Sequence, residues 1–294
     1  MSNTGFIKFK KLRDLGAILN DTFKFLRTEW QPLFSTIIKA SVIPVVFTTL
    51  VGVFFTGSTL LALKAYTESA LNGNLSDFFG YENVNSFFLI FIFFSISITF
   101  TYAAINVSIF AYIKSYIAGR GLINYNDVKQ TIKDKLLSVF FLSIVTGVIS
   151  LVGYLLFLLP GVYFANVLTM ASPILVFQDR GIFQSVGDAF NFIKGHWWNT
   201  FGIFLVISII IGITGWILNL PSDFYVKNNI SITLSTDISE IISDPIYLLF
   251  VVTSYIFQFL FHVFTSVSTT FIYFDIQEQE YPSTSDIINE IGEE

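Results

Sequence analysis

Five polar residues recur at every fourth position of an apolar stretch near the C-terminus: Ser254, Gln258, His262, Ser266 and Thr270. Thr265 and Thr269 widen the stripe. On a helix, positions four apart share one face. Polar groups in lipid need partners, so this face must turn toward protein or toward a polar path. His262 lies near the middle of the stretch, and its imidazole could titrate or touch a substrate. A second apolar stretch offers Ser97, Thr101 and Ser108, with Asn106 near by, and a third adds Asn166 and Thr169. Two chemistries fit the stripe: interhelical hydrogen bonding, or a polar cavity for a ligand or lipid headgroup.

Other chemistry is scarce. The chain has two histidines, His196 and His262, and no cysteine, which excludes a thiolate metal site and a cysteine nucleophile. There is no Gly-x-x-x-x-Gly-Lys phosphate loop, no Gly-x-Gly-x-x-Gly, no Gly-x-Ser-x-Gly and no His-Glu-x-x-His. No carboxylate interrupts the apolar stretches, although coupled transporters often use one there. The expectation is a protein that is not an enzyme and uses no cofactor or metal.

The elements that carry the stripe are set by composition. Hydrophobic residues make up 53% of the 294 and charged residues 13%, about half the usual charged share of a soluble chain. Uncharged runs extend over Ala40–Leu63, Asn83–Ile113, Leu136–Gln178, Gly195–Ser222 and Pro245–Phe274. A bilayer core needs about 20 apolar residues of helix. The third run is long enough for two spans, and Pro160-Gly161 is expected to divide it into Leu136–Leu159 and a short span Val162–Phe177 that Pro173 can kink. The sequence therefore predicts an all-α polytopic membrane protein with six transmembrane helices in three hairpins.

Charge predicts the orientation. The segment before span one, the loop after span two and the loop after span four carry 13 of the 16 basic residues. The opposite loops are acidic, with Glu68, Asp77, Glu82, Asp223, Asp237, Glu240 and Asp244. Basic loops stay in the cytoplasm, so both termini are expected there. The segment ahead of span one is charged and the first apolar run is too long for a signal peptide core, so span one should serve as its own uncleaved signal. The regions expected are a cytoplasmic N-terminus over 1–32, a six-helix membrane domain over 33–274 and an acidic cytoplasmic tail over 275–294.

Leu12, Leu15, Leu19, Phe23, Leu26 and Trp30 repeat at helical spacing, with Asp21, Lys24 and Arg27 on the other face. Pro32 should end this amphipathic helix or bend it into the membrane. A basic helix with Trp at its membrane end is expected to lie in the interface. The pattern returns later in the chain at a constant offset: Asp21, Arg27 and Trp30 correspond to Asp188, Lys194 and Trp197, and Phe34 to Phe201. Asp127–Lys135 is a weaker third copy. Three units follow, each an interfacial elbow helix leading into a hairpin. Ser143 with Gly147 and Ser208 with Gly212, with Gly202 and Gly215 beside them, would let helices approach closely, within the chain or with another membrane protein.

The segments Arg13–Phe25, Leu159-Pro-Gly-Val-Tyr-Phe, Ser172-Pro-Ile-Leu-Val-Phe and Asp188–Asn199 resemble the bacterial YciC-like (UPF0259) proteins and the membrane domain attached to some glycerophosphoryl diester phosphodiesterases. The resemblance implies a six-helix inner-membrane protein with no agreed activity. The phosphodiesterase would be a separate soluble barrel, for which this chain has no room. The leading expectation is a structural or accessory subunit of the bacterial cytoplasmic (inner) membrane that binds membrane lipids or other integral membrane proteins, and not nucleic acid. The alternative is a carrier or channel for a small or lipid-like substrate, with span six lining its path.

Overall fold

The computed structural model describes residues 6–71, 73, 82–232 and 243–281, with side chains omitted at 82–84, 226 and 229–232. These residues form eight helices and no strand: α1 Leu15–Leu71, α2 Glu82–Ala118, α3 Tyr125–Leu156, α4 Leu158–Leu168, α5 Ala171–Phe177, α6 Ile182–Phe192, α7 Trp197–Ile232 and α8 Pro245–Glu280. Six helical segments are long and apolar enough to cross a membrane, with α4 and α5 counted as one. Each uncharged run supplies the apolar part of one or two of them. The chain is an all-α polytopic protein. Asp77, Asp237, Glu240 and the tail beyond Tyr281 lie outside the described residues.

Helical continuity differs from expectation in three places. First, α1 runs unbroken through Pro32 and Pro44, so the first elbow is the opening part of a long helix and not a separate element. A proline removes one backbone bond, and neighbouring Ser/Thr side chains and helices make that tolerable in long apolar helices. Thr36 donates its hydroxyl to the Pro32 carbonyl at 2.9 Å, and Ser41 to that of Ile37 at 2.7 Å. Second, the third apolar run breaks at Phe157, which is fully extended (φ −163°, ψ 158°), and not at Pro160-Gly161. Pro160 is the third residue of α4, where a missing N–H costs nothing. The break lets α3 and α4 meet closely: a Cβ on Gly161 would lie 2.2 Å from the Tyr154 ring, and one on Gly153 3.0 Å from the Gly161 Cα. The fourth span is itself divided by a turn at Thr169-Met170, and Pro173 again occupies the first turn of the following helix. Third, α8 continues to Glu280. Asp275 and Glu278, expected in a solvated tail, are buried.

Residues cluster in two compact units. One comprises Met1–Ser41, Tyr102–Ser208 and His262–Glu294. Its core is aromatic. Phe9 stacks on Phe271 with centroids 4.4 Å apart and meets Phe25 edge-on at 5.1 Å. The Ile7 amide donates to the Tyr116 hydroxyl at 3.0 Å, and Tyr112 donates to Glu29 at 2.7 Å. Ile174, Leu175 and Val176 are fully buried where α5 packs beside α6. Phe9 and Arg13, in a segment that the sequence marks only as basic, thus belong to the core.

The other unit comprises Val42–Thr101 and Ile209–Phe261. Here α1 and α2 pair through Thr48, which bonds Ser97 and, at 2.8 Å, Thr101. Phe55 stacks on Phe94 at 4.6 Å. The Tyr255 hydroxyl donates to the Gly52 carbonyl at 3.1 Å, an approach only glycine permits, since a Cβ there would lie 2.6 Å from the Tyr255 ring.

Candidate functional site

The predicted stripe on α8 divides among several partners. His262 Nε2 lies 2.9 Å from the side-chain oxygen of Asn106 on α2, and the Ser266 hydroxyl donates to the same oxygen at 2.6 Å. The imidazole also stacks on Tyr102, with centroids 4.1 Å apart. Thr270 is fully buried and bonds back to the Ser266 carbonyl at 2.9 Å. Ser254, in the other unit, donates to Asn219 Oδ1 of α7 at 2.7 Å. Asn219 in turn donates to the Gly215 carbonyl at 2.8 Å. Gln258 is exposed. Of the matching set on α2, Ser97 and Thr101 go to Thr48, Ser108 bonds back to Ala104, and Asn106 meets α8. Asn166 reaches the Trp197 carbonyl at 3.4 Å. Thr48 and Asn219 are the partners that sequence reasoning missed, because each is one polar residue among many and carries no spacing signal.

The repeated segments share more than the sequence match. α1 begins at Leu15 and α6 at Ile182, positions related by the same offset as Asp21 and Asp188. Each start is preceded two residues earlier by an arginine that pairs with the repeat aspartate: Arg13 with Asp21 at 2.8 Å, and Arg180 with Asp188 at 3.4 Å. Arg13 is the buried copy. Its guanidinium also donates to the carbonyls of Phe9 at 2.5 Å, Lys11 at 2.9 Å and Lys8, and lies 4.8 Å over the Phe271 ring. Its backbone amide donates to Asp275 at 2.7 Å. Arg27 and Lys194 are exposed, as is Trp30. Trp197 instead stacks on Phe201 at 5.0 Å and on Tyr163 at 5.9 Å. The copies part at one residue. Thr28 continues α1, whereas Gly195 takes φ +88° and turns the chain between α6 and α7.

Further polar contacts collect where α5 gives way to α6. Asp179 accepts from Lys114 at 2.9 Å and lies 3.0 Å from Lys135. The Lys114 bond, and then that of Lys135, hold its carboxyl below the ordinary aspartate range against the opposing effect of burial. His196 contacts Glu280 at 2.8 Å. Gln178 donates to the Tyr273 hydroxyl at 3.1 Å. These contacts tie loops to helix ends and gather no nucleophile with a base. Among the described residues no group of three His, Asp or Glu side chains is placed to hold a metal.

The small-residue positions singled out from spacing are open. A Cβ on Gly147, Gly202, Gly212 or Gly215 would meet no atom within 4 Å. Close approaches between helices fall at Gly52, Gly153 and Gly161 instead, and one within the turn after α2 falls at Gly119. Exposed apolar side chains flank the open positions on α7, among them Leu205, Ile209, Ile213 and Trp216.

The fold and these sites define a multi-pass helical membrane protein. Comparison with family models, with curated proteins and with solved structures gives no match to the chain.

Proposed function

We propose that this chain is a non-enzymatic accessory or structural subunit of a bacterial cytoplasmic membrane, with both termini in the cytoplasm, that binds lipids and other integral membrane proteins. The observation that carries the reading is the fate of the polar stripe. His262, Ser266 and Asn106 satisfy one another, and Ser254 is satisfied by Asn219. Such bonds hold helices together and leave no row of free polar groups for a solute to follow. Gln258, the remaining candidate for a path, is exposed. The open glycines and exposed apolar side chains of α7 add support, since they suit contact with lipid or with another membrane helix. The resemblance to the YciC-like proteins fits the same reading.

The test pairs H262Q with the unaltered chain. Glutamine can still donate to Asn106, so the variant should retain the same lipids and protein partners in mild detergent. Its stability should fall by no more than about 1 kcal/mol, the scale of one interhelical hydrogen bond in a membrane protein. If proteoliposomes carrying the unaltered chain pass a solute, and H262Q changes the pH dependence of that flux, the carrier alternative replaces this one.

A further inference from the structure

A groove of about 560 Å³ runs between α1 and α3, within the unit that holds both segments. Lys39, Lys129 and Lys133 line it. All three are exposed, and among the described residues none forms an ion pair. Between them lie Ala40, Val128 and Ile132. Among the described residues no carboxylate lines the groove. Asp127 and Asp134, the nearest in sequence, are not among its walls, and Asp134 is engaged by Gln130. Three lysines without an ion pair thus border a mainly apolar groove.

Register places the groove at a particular depth. On α1 the uncharged run begins at Ala40, directly after Lys39, and on α3 it begins at Leu136, shortly after Lys133. Both walls therefore stand where the charged part of a helix passes into its apolar part. The phosphate of a lipid lies at that boundary, with its acyl chains on the apolar side. A free phosphate would gain from the lysines but nothing from Ala40, Val128 and Ile132, whereas an amphiphile uses both. Lysine stems suit this role, because their methylenes cover apolar surface while the ammonium reaches the headgroup.

We infer that the groove between α1 and α3 binds the headgroup of an anionic phospholipid from the leaflet on the basic side of the protein. The inference rests on the lipid-binding part of the function proposed above and assigns it a site. Lys129 and Lys133, one turn apart on α3, and Lys39 on α1 hold the phosphate from two sides. The first acyl carbons lie against Ala40 and Ile132.

The experiment uses the full chain, stripped of lipid by detergent exchange and followed by native mass spectrometry. Phosphatidylglycerol and phosphatidylcholine with identical acyl chains are added in turn. The unaltered chain should retain phosphatidylglycerol in preference to phosphatidylcholine. In K129Q/K133Q that preference should drop on the order of tenfold, as expected for the loss of two basic contacts with an anionic headgroup, while phosphatidylcholine retention stays the same. The control K10Q/K11Q removes equal charge from exposed lysines elsewhere and should keep the preference. Equal phosphatidylglycerol retention by K129Q/K133Q and the unaltered chain overturns the site but leaves lipid binding standing. An equal loss in K10Q/K11Q overturns the site in favour of diffuse charge. Displacement of the lipid by millimolar glycerol phosphate overturns the lipid assignment in favour of a free phosphate. Retention of no lipid of either kind overturns both the site and the broader reading.

Discussion

Arg13 shows how one residue can outweigh its copy. It is buried, bonds three backbone carbonyls and Asp21, and covers Phe271. Removing one member of a buried pair leaves the other charge uncompensated, which costs about 3–5 kcal/mol. R13Q should therefore destabilise the protein by about 3 kcal/mol in detergent unfolding, and R13K should not rescue it, since an ammonium cannot serve a fork of acceptors. R180Q removes the half-exposed copy and should cost under about 1 kcal/mol. Similar losses for the two variants would contradict the contrast. Asp179 gives a pH signature. A carboxyl depressed on folding adds stability above its unfolded value and loses it as pH falls through the folded one. D179N should thus melt below the unaltered protein at neutral pH, and the gap should close as pH falls below 3.8, the ordinary aspartate value. A gap that persists once the carboxyl is protonated would show that the lysine contacts are not its source. Asp21 and Asp188 as repeat positions, and His262 and Asn106 as polar positions of apolar stretches, were legible in the sequence; the pairing of His262 with Asn106 was not. The burial of Arg13 was not, because its segment looks like an ordinary basic terminus until Phe9 meets Phe25 and Phe271.

The two repeat copies illustrate what spacing can and cannot predict for whole elements. Helix starts at Leu15 and Ile182 follow from the shared sequence pattern. The different endings follow from Gly195, which adopts φ +88°, where the first copy has Thr28. A left-handed conformation costs a residue with a Cβ about 1–2 kcal/mol. G195A should lower stability by about that amount, and G195N by less, since asparagine tolerates the region. An unchanged melting temperature in G195A would mean that the turn between α6 and α7 does not need this conformation. Proline departs from its usual helix-breaking role at two positions. Pro32 lies inside a continuous helix, where it costs one backbone bond to the Thr28 carbonyl and no more. Pro160 sits in a first turn, so the break falls ahead of it, at Phe157. The apolar spans were legible because each must bury a whole helix or face it to lipid. The positions of the breaks were not, because they depend on contacts such as Gly153 with Gly161.

At the scale of the whole chain, two patterns govern the account: basic residues gathered in alternate loops, and polar intramembrane groups paired with one another. The small-residue spacing was readable but its use was not, since Gly147, Gly202, Gly212 and Gly215 face open space while Gly52, Gly153 and Gly161 make the close approaches between helices. Because the chain has no cysteine, single introduced cysteines test both patterns in native membranes with a small, water-soluble, membrane-impermeant thiol reagent. T67C and D223C, at exposed positions beside the acidic loops, should react from outside intact cells, and Q184C on α6 only after the membrane is opened. The decisive position is Ser266, buried against Asn106 and His262. S266C should stay unreactive from either side until the protein is denatured. Labelling of S266C in the native membrane at a rate comparable to T67C would reveal a water-filled path along α8 and contradict it.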